Sequence, residues 1–443
     1  MAAMTTPKTQ ENPSLLGRLI DAKPGELAPV LWASAYFFCV MASWFILRPI
    51  RDEAGIAGGI RNLPWLFTGT MIAMLVVSPA FAALVAKLPR KRFVPIAYRF
   101  FLVNLVVFFA LFTAFPEPPQ QVWVGRAFYL WASVFNLFVV SVFWGFMADA
   151  FRSEQGKRLF GFIGVGGTVG GIIGSFTTAS LVKGVGTAGL LLVSAALLEV
   201  AVQCAGRLAK LFRDGGEGRE AVPDEAAIGG GALSGISHVF KSPYLLGICG
   251  YMLLYTIGST FLYFQQAHIV EGAYQEDRAA RAALLAQIAL AVQTLTVVIQ
   301  ALLTGRLMKR LGIAVMLTIV PAISVAGFLG VALVPSVAVL IGFMVLRGAG
   351  NYAVARPSRE VLYTVVSRED KYKAKSFIDT FVYRFGDQVG AWGDRLLGSL
   401  GLGMAGVALV AAPLAGLWLL IGLWLGRRQV VLGTRDSALG ARP

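Results

Sequence analysis

The sequence predicts an all-α membrane protein, with twelve transmembrane helices arranged as two six-helix bundles. Composition sets the class: 57% of the residues are hydrophobic, 14% are charged and the mean hydropathy is +0.70, far more apolar than a soluble domain. The apolar residues recur in runs long enough to cross about 30 Å of hydrocarbon, separated by short polar clusters. Basic residues gather on alternate connections, which supplies an orientation.

Taken in order, the first six spans are read at 27–50, 63–86, 93–115, 122–149, 160–182 and 187–206. The second six are read at 243–267, 282–304, 312–334, 337–357, 376–400 and 404–426. Residues 1–26 form a polar tail with no short apolar core and cleavage site, so the first span is expected to stay as an anchor. Residues 213–241, rich in glycine and acidic side chains, read as a cytoplasmic linker between bundles at 27–212 and 242–428. Residues 429–443 form the C-terminal tail.

The two tails and the connections after even-numbered spans hold 28 of the 39 Lys and Arg residues. Arg51, Arg61, Arg126, Lys183, Arg278 and Arg281 are the basic residues on or beside the opposite connections. Both termini are therefore expected in the cytoplasm, with the chain in an inner membrane. The net charge of +15 then faces anionic lipid, and no nucleic-acid partner is needed to explain it.

The two halves echo one another. "AALVAKLPRKRF" after span 2 and "TGRLMKRLGIA" after span 8 are both short basic turns, carrying Arg90, Lys91, Arg92 and Arg306, Lys309, Arg310. Two six-helix halves about a polar linker are the arrangement of major facilitator transporters. The basic turns resemble a degenerate form of that superfamily's cytoplasmic gating motif, without its acidic residue.

Some charges cannot be moved out of the membrane. Leu311 to Leu346 is 36 residues without a charge, slightly short for two spans, so span 10 must include Arg347. Leu396 to Gly426 is 31 uncharged residues, so span 11 must lie before Leu402 and carry Arg384, Asp387, Asp394 and Arg395. With Gln388 and Ala391 these fall at helical spacing and form one polar stripe. It reads either as an internal Arg384–Asp387 pair joining helices or as the lining of a solute path. Asp149, closing an uncharged run, reads equally as a path residue or a helix-end residue. Glu199 is open between a pair with Arg207 and an interfacial position. "WFILRPIRDEAGIAGG" ends the first span with Arg48, Arg51, Asp52 and Glu53, again either interfacial or facing a cavity.

Other patterns point away from chemistry. Gly166, Gly170 and Gly174 lie on one face of span 5 and read as a close-packing stripe. "GVGTAG" at Gly184–Gly189 lacks the strand–turn–helix context of a dinucleotide site. Cys39, Cys204 and Cys249 read as packing residues, and His238 and His268 make no metal site. No nucleophile with its base is legible, so no enzyme and no cofactor are expected.

Several stretches resemble the nucleotide (ATP/ADP) translocase family, whose members look like major facilitator proteins. "LRPIRD" (Leu47–Asp52) is similar to its Leu-Arg-x-x-Lys-Asp, and "FWGFMADAF" (Phe143–Phe151) is similar to its Trp-Gly-Phe-Ala-Asn-Glu. "EQGKRLFGFIGVG" (Glu154–Gly166) is similar to its Glu-Ala-Lys-Arg-Phe-Tyr stretch. "ARPSREVLY…KYKAKSFIDTFVYRFGDQVGAW" (Ala355–Trp392) resembles its longest signature. The resemblance implies a first span that continues past Leu47, so that Arg48 and Arg51 enter the cavity, and it puts Asp149 at a functional acidic position. Two departures stand out: Asp387 replaces a lysine, and "YTIGSTFLYFQQ" (Tyr255–Gln266) lacks the expected acidic residue.

The expected function is secondary active transport of a polar anionic or zwitterionic solute by alternating access. Arg48 and Arg51 are the expected anion contacts of the first half, Arg384 and Asp387 are their counterparts in the second, and Asp149 and Gln388 complete the expected substrate-binding set. Asp149 and Asp387 are the candidates for a coupling proton. Exchange of ATP for ADP and a non-transporting receptor or scaffold are the alternatives.

Overall fold

A computed structural model describes residues 23, 25–87, 90–151, 153–214, 239–240, 242–274, 277–366, 374–375 and 377–440. The chain is helical through the described residues, with α1 (Leu27–Ala57), α2 (Leu63–Lys87), α3 (Arg90–Ala114) and α4 (Gln120–Ala150). The next run, Ser153–Asp214, is 62 residues long. At 1.5 Å per residue a straight rod of that length would measure about 93 Å, some three membrane thicknesses. Gly186, at φ 72°, breaks it into two arms, α5 and α6; a positive φ of this kind suits glycine.

The second half begins with α7 (Pro243–Ala273) and α8 (Arg278–Ile299), which continues through a π-helical turn, Gln300–Thr304. α9 (Gly305–Leu333) breaks at Gly312, again at positive φ. α10 starts as Val337–Gly350, passes through a π-helical turn at Asn351–Ala355 and resumes as Arg356–Leu362. α11 is the π-helical turn Ile378–Val382 followed by Tyr383–Ser399, and α12 is Met404–Gly440.

Ten helices among the described residues are long and apolar enough to span a membrane. One of them is the broken α5–α6 rod, and α11 is excluded only because its sequence is so polar, which brings the segments to twelve. Large apolar side chains such as Val76, Phe100, Phe176, Leu417 and Leu420 point outward, the surface that lipid covers.

Two helix ends stand out against the sequence reading. α1 runs seven residues past 50, continuing through Pro49 and Gly55, and stops at Gly58 and Gly59, the second at positive φ. α12 runs on past Arg428 to Gly440, where a separate tail was expected. The linker and the N-terminal tail fall mostly outside the described residues, as do the side chains of Arg90, Lys91, Arg92 and Lys309. Arg306 and Arg310 are exposed.

Glycines set the tightest helix contacts. A Cβ on Gly166, Gly170 or Gly174 would press into the α1 backbone at Ser34, Phe38 and Ala42. In the second half, Gly386 and Gly390 of α11 lie against Thr256 and Thr260 of α7. The stripe on span 5 is thus a packing surface. Gly170→Leu is expected to cost about 3 kcal/mol or more through overpacking, whereas Gly164→Ala, with open space around it, should stay within about 0.5 kcal/mol. Thermal unfolding of the two variants in detergent would check this. Glu199 pairs with Arg99 of α3 at 2.9 Å, not with Arg207, which lies over the Trp32 ring instead.

Candidate functional site

Adjacent residues on a helix point about 100° apart, and the end of α1 uses this to face two partners at once. Asp52 turns inward and accepts from Arg51 Nη2 at 2.6 Å and Nε at 3.0 Å. Glu53, 1% exposed, turns toward the second half and accepts from Arg278 Nε and Nη2 at 2.9 and 3.0 Å, with Arg281 Nη2 at 3.4 Å. The α8 terminus makes this possible: Asp277 caps the Ala280 N–H, and Arg278 and Arg281, three apart, share one face. The triad is a buried bridge between the halves.

A second set of contacts closes the same end. Thr68 of α2 lies 2.8 Å from Gln388 Oε1 and accepts from Trp392 Nε1 at 3.2 Å. Trp65 meets Trp392 edge-on at 4.9 Å, and Arg395 donates to the Arg61 carbonyl at 3.3 Å. The α11 side chains therefore divide: Gln388 and Trp392 meet α2 and Arg395 meets the turn just before it, while Asp387 pairs with Arg384 and Thr260.

Beneath this seal the charged residues of both halves converge. Arg51 lies between the rings of Trp44 and Tyr129, at 5.5 and 5.2 Å. Asp52 also accepts from Tyr263 of α7 at 3.3 Å, and the Tyr129 and Tyr263 hydroxyls are 3.5 Å apart. On the facing side Asp387 is held by Arg384 at 3.2 Å and by the Thr260 hydroxyl at 3.2 Å. Arg51 lies within electrostatic reach of Asp387. Arg48 and Arg384 keep 37% and 32% of their side chains accessible, against 17% for Arg51 and 12% for Asp387. Arg48 and Arg384 each precede Arg51 and Asp387 by three residues, on the part of α1 and α11 away from the seal.

The Major Facilitator Superfamily model matches residues 30–391. The chain belongs to that superfamily. Solved structures share the fold: a bacterial homologue of the iron transporter ferroportin in an inward-facing state has 13% identity and TM-score 0.64, covering 91% of this chain and 99% of that one. A variant of the nucleoside transporter NupG has 16% identity and TM-score 0.61, covering 90% and 98%. The xylose transporter XylE from E. coli, inward open, has 11% identity and TM-score 0.55, covering 88% and 94%. No functionally curated protein matches the chain by sequence. This major facilitator protein is a multi-pass membrane transporter of a small-molecule solute, and it is not an enzyme.

Within the major facilitator frame, the Arg51–Asp52 and Arg384–Asp387 pairs come together, with Arg48 4.0 Å from Asp52, and Gln388 borders them from the seal, 2.8 Å from Thr68. Asp149 does not join them. It is exposed in the last turn of α4, twenty residues beyond Tyr129 and so about 30 Å further along the helix. The helix-end reading fits that position. Arg347 is buried inside α10, donating to Ser324, Ser259 and the Tyr255 carbonyl at 3.0, 2.9 and 3.1 Å. It ties α10 to α7 and α9 and lies over the Tyr255 and Trp418 rings at 5.3 and 5.8 Å.

Several residues at the centre carried no legible signal in the sequence. Tyr129, Thr260, Tyr263 and Tyr352 look like ordinary span residues, and only the packing of α4, α7 and α10 gives them partners. The bridge did leave a trace: Arg278 and Arg281 sit three apart behind an N-cap aspartate, on the side where basic residues are scarce. The π-helical turns at Asn351–Ala355 and Ile378–Val382 lie directly before Arg356 and before Tyr383 and Arg384, a placement typical of functional sites.

Proposed function

We propose that this transporter carries a polar anionic or zwitterionic solute through a site built from Arg48, Arg51, Arg384, Asp387 and Gln388. The observation that carries the reading is the link across the halves: Tyr263 of α7 donates to Asp52 beside Arg51, 3.3 Å away, and α7 also holds Asp387 through Thr260. Fixed guanidinium groups suit carboxylate or phosphate recognition through paired hydrogen bonds. With the seal at one end and accessible arginines toward the other, the chain stands in one of the two states that alternating access requires. With both termini in the cytoplasm, as the basic connections favour, this state is inward-facing and the membrane is an inner membrane.

Counterflow in proteoliposomes across a panel of labelled amino acids, carboxylates and phosphorylated solutes tests the reading. Saturable uptake of an anionic or zwitterionic solute, lost in Arg51→Gln, is the expected result; uptake of neutral solutes alone would count against it. Exchange of ATP for ADP is the alternative that the resemblance along Leu47–Asp52 and Ala355–Trp392 to the nucleotide translocases raises. Asp387 and the uncharged Tyr255–Gln266 stretch make a site poorly matched to a ligand of three or four negative charges. Uptake of labelled ATP only against internal ADP would reverse that judgement.

Asp387 is the group best placed to carry a coupling proton, since protonation would release Arg384 and remove a buried charge. Its neighbours are Arg384, Thr260 and Arg51. Asp387→Asn is expected to flatten the pH dependence of uptake between pH 5 and 8. An unchanged profile would move the role to another residue.

A further inference from the structure

Arg48 and Arg356 come from opposite halves and converge on one side chain. The Arg356 guanidinium lies 4.9 Å from the centre of the Tyr352 ring. Arg48 of α1 lies within electrostatic reach of the same tyrosine. Tyr352 belongs to the π-helical turn of α10, and Arg356 is the first residue after it. The turn therefore aims both at the centre, and Arg356 stays exposed there.

The local charge balance singles out the same two arginines. Around the tyrosines Tyr352, Tyr255 and Tyr383 and the Tyr129–Tyr263 pair stand Arg48, Arg51, Arg347, Arg356, Arg359 and Arg384, against Asp52, Asp379 and Asp387. Lys375 and Glu360, nearby, neutralise each other. Each carboxylate has a first claimant: Asp52 binds Arg51 at 2.6 Å, Asp387 binds Arg384 at 3.2 Å, and Asp379 lies within electrostatic reach of Arg359 first and of Lys375 and Arg356 after it. Arg48 reaches the far oxygen of Asp52 only at 4.0 Å. Among the described residues Arg356 has no carboxylate in salt-bridge contact. Among the described residues three positive charges are left over: Arg347 is enclosed by Ser324, Ser259 and the Tyr255 carbonyl, and the other two, Arg48 and Arg356, border Tyr352.

We infer that Arg48 and Arg356, on either side of Tyr352, form a subsite that selects solutes carrying two negative charges, such as phosphomonoesters or dicarboxylates. The inference rests on the transport reading of this cleft and adds the charge class of its solute. While the cleft is open, water solvates the two guanidiniums. Closing the halves over an empty cleft would desolvate two cations without partners. A dianion offsets both, so the charge of the solute decides whether closure is favourable. A monoanion leaves one cation uncompensated, and a zwitterion leaves both.

The test uses the full-length purified protein in detergent at constant ionic strength. The probes are phenyl phosphate, succinate, benzoate and glycine, and the readout is the thermal unfolding midpoint against probe concentration. The expected result is stabilisation by phenyl phosphate, succinate or both, and none by benzoate or glycine at the same concentration. Stabilisation by phenyl phosphate alone places both charges on one group; stabilisation by succinate alone spreads them over two carboxylates. Arg356→Gln and Arg48→Gln should each raise the half-saturating concentration roughly ten- to a hundredfold, with Arg356→Lys closer to the parent. Equal stabilisation by monoanions, or by no probe at all, would overturn the inference without recourse to any variant. So would an Arg356→Gln protein that binds as the parent does. Flux separates the two readings. If benzoate or glycine is transported equally by the parent and Arg356→Gln, the charge selection fails and transport stands. If dianions stabilise the protein and none of the probes moves across proteoliposomes, binding stands and transport fails.

Discussion

Glu53→Gln is expected to open the sealed end of the transporter. Glu53 is 1% exposed and holds Arg278 and Arg281, themselves 24% and 6% exposed, across the interface between the halves. Removing one member of a buried charge cluster costs about 3–5 kcal/mol, because the remaining charges lose their partner. Arg278 regains some water, so the lower end of that range applies. This cost falls on the sealed state alone, since parting α1 from α8 lets both arginines hydrate. A bias of about 3 kcal/mol changes a two-state ratio by roughly a hundredfold. Electron–electron resonance distances between labels on Arg61 and Tyr274, exposed residues of the two halves at this end, would read the shift. A new long-distance population is the expected outcome. A distribution identical to the parent's would show that the tryptophan pair and the Thr68 contacts hold the seal without the bridge.

The same bridge shows how far the sequence could be read. Lengths of uncharged runs were enough to put Arg347, Arg384 and Asp387 inside spans, because a helix rises a fixed 1.5 Å per residue and the membrane has a fixed thickness. The glycine stripe on span 5 was legible for a similar reason, since a four-residue spacing marks one face of a helix. Pairing was not legible. Glu53 and Arg278 are 225 residues apart, and only the docking of α1 on α8 makes them neighbours. Glu199 was offered Arg207 because the two are close in sequence, yet α3 brings Arg99 nearer. Tyr352 and Arg356 also escaped notice, since a π-helical turn changes which residues share a face and periodicity assumes a regular helix.

Arg51 serves both fold and function in this reading, and two substitutions separate those roles. Its guanidinium holds Asp52 through two nitrogens and is packed between Trp44 and Tyr129. Arg51→Ala is expected to lower stability by about 3 kcal/mol, because Asp52, 6% exposed, keeps only Tyr263 and the distant Arg48 as partners. Transport should fall at least tenfold, as a charge-assisted contact to the solute is lost. Unfolding midpoints and initial uptake rates measure the two effects. Adding Asp52→Asn removes the stranded carboxylate, so the double variant is expected to recover most of the stability. It should not recover transport, since the cation that meets the solute is still missing. Arg51→Lys keeps the charge and loses the fork and the flat face that fits between two rings; it should fold, with uptake between the parent and Arg51→Ala. A double variant that transports at the parental rate would make Arg51 a purely structural counterion, and the solute contact would then fall to Arg48 and Arg384.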